Sequence, residues 1–117
     1  MQLDHVSLTV ADCDRSAAFY GRHFGLTERI LDDEHLLILG AENGRAVLAL
    51  STGEVPPLPR TNHFGFRAPD GDAVRAARAA FAAAGVPEAE WQDHDGFVRV
   101  QVFDPDGYRV ELYVLPG

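Results

Sequence analysis

Two histidines and one glutamate hold the chemistry of this chain, each on a short run of alternating apolar and polar residues. His5 opens His5-Val6-Ser7-Leu8-Thr9-Val10, His63 opens His63-Phe64-Gly65-Phe66-Arg67-Ala68, and Glu111 lies within Arg109-Val110-Glu111-Leu112-Tyr113-Val114. Two imidazoles and a carboxylate are the donors of an open divalent-metal site, one that leaves positions for water and substrate. Iron(II), manganese(II), zinc(II) and nickel(II) are all compatible with that donor set. An ion so held acts as a Lewis acid on a substrate oxygen.

The elements that must bring these groups together repeat. After His5–Val10 comes Ala11-Asp12-Cys13-Asp14, then a helical pattern to Phe24 that Gly25 closes. After His63–Ala68 comes Pro69-Asp70-Gly71-Asp72, then a helical pattern to Ala84 that Gly85 closes. Asp12 or Asp14 and Asp72 are the expected N-caps, and a glycine after each helix suits the left-handed residue that ends it. Strands are expected at 27–31, 36–39 and 46–51 in the first half, and at 90–92, 97–103 and 108–114 in the second, with the 90–92 signal weak. Each half is therefore strand, helix and three strands. Module one spans 1–53, a proline-rich linker 54–60, and module two 61–117, together one domain of 117 residues.

Strand phase converts this outline into a site. Val6, Leu8 and Val10 share one face of their strand, while His5, Ser7 and Thr9 share the other. Phe64 and Phe66 oppose His63, Gly65 and Arg67; Val110, Leu112 and Val114 oppose Arg109, Glu111 and Tyr113. Val98, Val100 and Val102 likewise oppose Arg99, Gln101 and Phe103. With the apolar sets turned to the helices, His5, His63 and Glu111 all fall on the other side.

Composition narrows the field. A net charge of −8, from 18 acidic and 10 basic residues with no basic run, argues against nucleic-acid or anionic-membrane partners. Cys13 is the single cysteine, so no intrachain disulfide forms. The first residues lack the basic and apolar regions of a secretory signal, and no stretch reaches membrane-spanning length, so a cytoplasmic protein is expected.

Four stretches carry a resemblance: Leu3-Asp4-His5-Val6-Ser7-Leu8-Thr9-Val10, Phe19-Tyr20-Gly21-Arg22-His23-Phe24-Gly25-Leu26, Asn62-His63-Phe64-Gly65-Phe66, and Asp104-Pro105-Asp106-Gly107-Tyr108-Arg109-Val110-Glu111-Leu112-Tyr113. They resemble the vicinal oxygen chelate superfamily, the glyoxalase, bleomycin-resistance and extradiol dioxygenase group. The resemblance implies an α+β fold of two βαβββ modules forming a curved, mixed-sheet half-barrel. It implies His5, His63 and Glu111 as ligands of one divalent metal, and a small substrate that chelates the metal through vicinal oxygens. Family members commonly pair, so a homodimer is expected, with the site inside one chain or shared between two.

Aligning the Gly44 turn with the Gly107 turn puts Leu48 where Glu111 sits, so module one lacks the carboxylate of glyoxalase I types. The three-ligand pattern of fosfomycin-modifying enzymes and extradiol dioxygenases remains. On the site face, Glu111, Tyr113 and Arg109 are the candidate catalytic groups, and Gln101, Arg99 and Leu48 the candidate substrate-binding ones. The basic residues placed there for an anion are Arg99, Arg109 and Arg67. His23, His35 and His94 read as surface residues, and Cys13 has no basic partner to activate it. The expected function is a metal-dependent lyase, dioxygenase or transferase. The alternative is a drug-sequestering protein of the bleomycin-resistance kind, whose acidic charge would suit a bulky cationic compound.

Overall fold

A computed structural model describes residues 1–117. Two compact units divide the chain, Met1–Pro57 and Leu58–Gly117, and the boundary falls inside the expected proline-rich linker. The first unit runs β1 (Val6–Val10), α1 (Cys13–Phe24), β2 (Glu28–Asp32), β3 (Leu36–Gly40) and β4 (Ala46–Thr52). The second runs β5 (His63–Arg67), α2 (Gly71–Ala83), β6 (Glu88–His94), β7 (Phe97–Phe103) and β8 (Arg109–Val114). Each is a βαβββ module, as expected. The sheet orders are β1-β4-β3-β2 and β5-β8-β7-β6, and in both the first strand lies parallel to the last while the other pairs are antiparallel. No helix is long and apolar enough to cross a membrane.

The apolar faces cover themselves with the helices. In the first unit Leu8, Val10, Leu37, Leu39, Leu48 and Leu50 are buried with Ala17 and Tyr20 of α1. In the second, Val98, Val100, Val102 and Val110 are buried with Val74 and Phe81 of α2. Burying such side chains contributes about 1.5–3 kcal/mol each before entropy is counted, so the helix side of each sheet is fixed and the polar side follows from the pleat.

Two local expectations need correction. Asp70, not Asp72, caps α2, accepting from the Ala73 N–H at 2.8 Å, because it stands three residues before that unpaired donor. Asp72 lies in the first turn and pairs with Arg75 at 2.9 Å instead. The weak strand at 90–92 extends over seven residues as β6. Its ladder with β7 is reinforced from α2: Arg75 forks onto Asp93 at 2.8 and 2.9 Å, and Arg78 forks onto Glu88 at 2.7 and 3.1 Å. The Arg78 guanidinium also lies 4.2 Å from the Trp91 ring centre. Those partners sit 10–18 residues away in the chain, beyond the reach of a local pattern.

Leu48 is also corrected. Along the β3–β4 ladder Leu39 pairs with Leu48 but Gly40 pairs with Ala46, so Val47 is an extra residue, a β-bulge. The equivalent β7–β8 ladder steps evenly from Val102–Val110 to Phe103–Arg109. Counting from the turns therefore slips by one residue, which turns every side chain to the opposite face. In β4 the residue equivalent to Glu111 is Ala49, paired with Ser7 as Glu111 is with Gly65. Leu48 pairs with Val6 and is 1% exposed, a core residue rather than a wall of a binding cleft.

The bulge and the α2 ion pairs can each be tested. Leu48→Ala lowers unfolding free energy by about 2–5 kcal/mol, whereas Ala49→Ser stays within about 0.5 kcal/mol, as urea denaturation will report. The Arg75 hydrogen bond, against slight desolvation, holds the Asp93 carboxyl below its usual value. A lowered carboxylate adds stability above the unfolded-state value of about 3.9 and loses it as pH falls through the folded one. The stability gap between the native chain and Asp93→Asn should therefore narrow in urea titrations carried below pH ~4.

Candidate functional site

The pleat and the β7–β8 turn position Glu111. Asp104 caps that turn, its Oδ1 accepting from the Asp106 and Tyr108 N–H groups at 2.9 Å each, while its own N–H donates to the Tyr108 carbonyl at 2.8 Å. Gly107, at φ 93°, supplies the left-handed residue the turn requires. The register this fixes sets Gly65, Glu111, Gln101 and Glu90 in one row across four strands, with His63, Arg109 and Phe103 in the neighbouring row. Gly65 is where the sheet must stay bare: a Cβ there would stand 3.1 Å from the Glu111 Cβ and 3.4 Å from its Oε2.

Within the second unit the structure brings His63 and Glu111 together, Nε2 to Oε2, at 3.9 Å. The Glu111 side chain is 13% exposed, and its other oxygen accepts from Arg99 Nη1 at 2.5 Å. Arg99 also donates to Glu90 at 2.7 Å and to the Gln92 side-chain oxygen at 2.6 Å. Burial pulls the Arg99 pKa down, but its bonds to Glu111 and Glu90 outweigh this and raise it. The Glu90 carboxyl is held below its usual value by the Arg99 hydrogen bond and charge, with smaller contributions from Arg109 and Arg60.

Both histidines present the same nitrogen. The His63 Nδ1 lies 3.0 Å from the Thr61 carbonyl, which can only accept, so Nδ1 carries the proton and a neutral ring leaves its Nε2 lone pair free. In the first unit His5 precedes β1, exposed, with Nδ1 2.8 Å from Asp4 Oδ1, and the same reasoning frees its Nε2. An imidazole anchored through Nδ1 by a carbonyl or carboxylate is the usual arrangement of a metal-ligating histidine. Two donors each about 2.1 Å from one ion stand at most about 4.2 Å apart, and the His63–Glu111 separation of 3.9 Å lies inside that limit. Neither unit by itself gathers three His, Cys, Asp or Glu side chains closely enough to hold one.

Beside this pair lies a cleft of about 310 Å³ lined by Arg60, Thr61, His63, Glu90, Arg99, Gln101 and Arg109. Gln101, 2% exposed, accepts weakly from Arg109 at 3.4 Å, and the Arg109 guanidinium rests 4.9 Å from the Phe103 ring centre. Tyr113 stands a row beyond Glu111, opposite Arg67 and Arg99, with the Arg67 guanidinium 5.8 Å from its ring centre. Of the expected substrate-binding residues, Gln101 and Arg99 line the cleft and Leu48 does not. Sequence reasoning missed Arg60 and Thr61. Their nearness to His63 at the end of the linker was the available signal.

The family model described as the Glyoxalase/Bleomycin resistance protein/Dioxygenase superfamily matches residues 2–112, and the chain belongs to that superfamily. No curated protein matches it significantly. Among solved structures, a possible glyoxalase from Bacillus cereus is 24% identical, with a TM-score of 0.80 over 97% of this chain and 99% of that one. Lactoylglutathione lyase from Agrobacterium tumefaciens is 26% identical, with a TM-score of 0.75 over 96% and 92%. The fosfomycin resistance protein FosX from Listeria monocytogenes, complexed with manganese(II) and sulfate, is 19% identical, with a TM-score of 0.80 over 97% and 92%.

The Arg99–Glu111 pair yields a prediction of its own. Arg99→Ala strands a mostly buried carboxylate and costs about 1–3 kcal/mol. Adding Glu111→Gln recovers part of that loss, since an amide needs no counter-charge. A double-mutant cycle by thermal unfolding measures the coupling.

Proposed function

We propose that this chain is a metal-dependent enzyme whose small substrate chelates the ion through two neighbouring oxygens. His63 and Glu111 supply two protein ligands. His5 supplies the third, from the same chain or from a second copy in a homodimer. The observation that carries this reading is the His63–Glu111 pair, with Nε2 left open by the Thr61 carbonyl and Oε2 left open because Arg99 holds Oε1. Bound there, a divalent ion supplies Lewis acidity to a substrate oxygen.

The chain's own groups orient and shield. Arg99 makes Glu111 a one-oxygen donor and lowers the cost of its burial. Gln101 steadies Arg109, which directs a hydrogen-bond fork at the substrate. Tyr113 offers a hydroxyl from the far side of Glu111. The donor set of two nitrogens and an oxygen admits manganese(II), iron(II), zinc(II) and nickel(II) alike. Manganese(II) is the first to try, because the FosX structures hold it, one of them with a dihydroxypropylphosphonic acid whose hydroxyls are vicinal. Whether the reaction is that of a lyase, a dioxygenase or a transferase depends on the substrate. Sequestration of a cationic drug is the weaker reading, since guanidinium groups line the cleft and would repel it.

Metal analysis and titration calorimetry test this. Manganese(II) should bind at one equivalent per chain, and His63→Ala or Glu111→Ala should weaken it by about 100-fold or more with the circular dichroism spectrum unchanged. Native protein that takes up none of the four metals refutes the reading.

A further inference from the structure

Glu88 and Glu90 stand two residues apart on β6, and on an even ladder they would share a face. They do not. Glu88 pairs with Val102 and Glu90 with Gln101, so Ala89 is an extra residue, and this bulge turns the two carboxylates to opposite sides. Glu88 meets Arg78 of α2, while Glu90 joins the row of Gln101, Glu111 and Gly65. There it takes one arm of Arg99. All three nitrogens of that guanidinium are engaged: Nε donates to Gln92 at 2.6 Å, Nη2 to Glu90 at 2.7 Å and Nη1 to Glu111 at 2.5 Å. A guanidinium and a carboxylate pair most strongly as a two-bond fork, and Arg78 forks both oxygens of Glu88 in this way. Arg99 makes no such fork with Glu111, and Glu111 Oε2 faces His63 Nε2 at 3.9 Å instead. The first unit repeats the bulge but none of the three charged residues. Leu31 stands opposite Ile38, and Leu36 and Ala49 hold the places of Arg99 and Glu111. Glu90, Arg99 and Glu111 are thus present together or absent together.

We infer that Glu90 is a positioning residue: by holding Nη2 of Arg99 it keeps that guanidinium from closing on both oxygens of Glu111, and so leaves Oε2 open to a cation. Gln92 assists by fixing Nε, which sets the plane of the group. With Glu90 gone, Nη2 has lost its acceptor, and the nearest carboxylate oxygen it can turn to is Oε2 of Glu111. The fork then closes and the donor is spent on the arginine. The role of Oε2 as a metal donor rests on the metal-enzyme reading, but the hold of Glu90 on Arg99 is testable without metal.

Two measurements test this. In a crystal structure of metal-free Glu90→Ala, Arg99 should place two nitrogens about 2.7–2.9 Å from the two oxygens of Glu111. In calorimetric titrations with manganese(II), Glu90→Ala should raise Kd about tenfold or more, and Glu90→Gln, whose amide oxygen still accepts, should raise it less. Glu88→Ala, which removes the same charge from the other side of β6, should leave Kd within about twofold. The Arg99→Lys background separates positioning from simple attraction, because an ammonium is a point donor that cannot fork. There, adding Glu90→Ala should change Kd by less than about twofold. Glu90 is exposed on an edge strand, so its variants keep the fold. Three results overturn the inference: an Arg99 that keeps a single bond to Glu111 in the Glu90→Ala crystal; a Kd that ignores Glu90→Ala; or a loss of affinity that persists in full beside Arg99→Lys, which marks a direct pull of the Glu90 charge on the cation. A native chain that takes up no metal, with the fork closed in the Glu90→Ala crystal, supports the hold on Arg99 and removes the metal-enzyme reading instead.

Discussion

A carboxylate on an interior strand must be neutralised by something, and here Arg99 does it from the adjacent strand. That contact constrains the rest of the second unit's polar face. Arg99 reaches Glu111 because β7 and β8 run antiparallel with Gln101 opposite Glu111, and it reaches Glu90 because β6 continues the same ladder. With one oxygen engaged, the other points past Gly65 toward His63. An isolated charge so placed would cost several kcal/mol; paired, it becomes a fixed and directed electron-pair donor.

Much of this was legible from residue order alone. Alternation of valines against Arg99, Gln101, Glu111 and Tyr113 assigns the faces, since a strand has one period and the apolar side has only the helix to cover it. The βαβββ order was visible because Asp12, Gly25 and Gly85 punctuate the helices at their ends. What was not legible depends on contacts between distant segments. β6 reads as a weak strand because its polar side chains are held by α2 arginines, not by burial. Counting from the turns misplaces Leu48 because a bulge at Val47 adds a residue without leaving any mark in composition. Arg60 was overlooked because a linker residue has no phase.

The two modules share one scaffold and differ in what they do with it. Both bury a leucine- or valine-rich face against a single helix, and both open with a histidine whose Nδ1 is tied down locally. Only the second adds a carboxylate, its arginine counter-ion and a basic cleft. The His63–Glu111 pair and Arg99 thus belong to β5, β7 and β8, while the first module is a well-packed core with an exposed His5 ahead of β1.

The bulge in β4 has an evolutionary corollary. Because the additional residue is already accommodated at Val47, Ala49 occupies the outward coordinate that Glu111 holds in the duplicate half. A single codon change there would put an acid on the outward face of the first half without insertion or deletion, but β3 carries Leu36 where β7 carries the Arg99 counter-ion. On this backbone the acid and its counter-ion are two substitutions away, at positions the β4 ladder already turns outward.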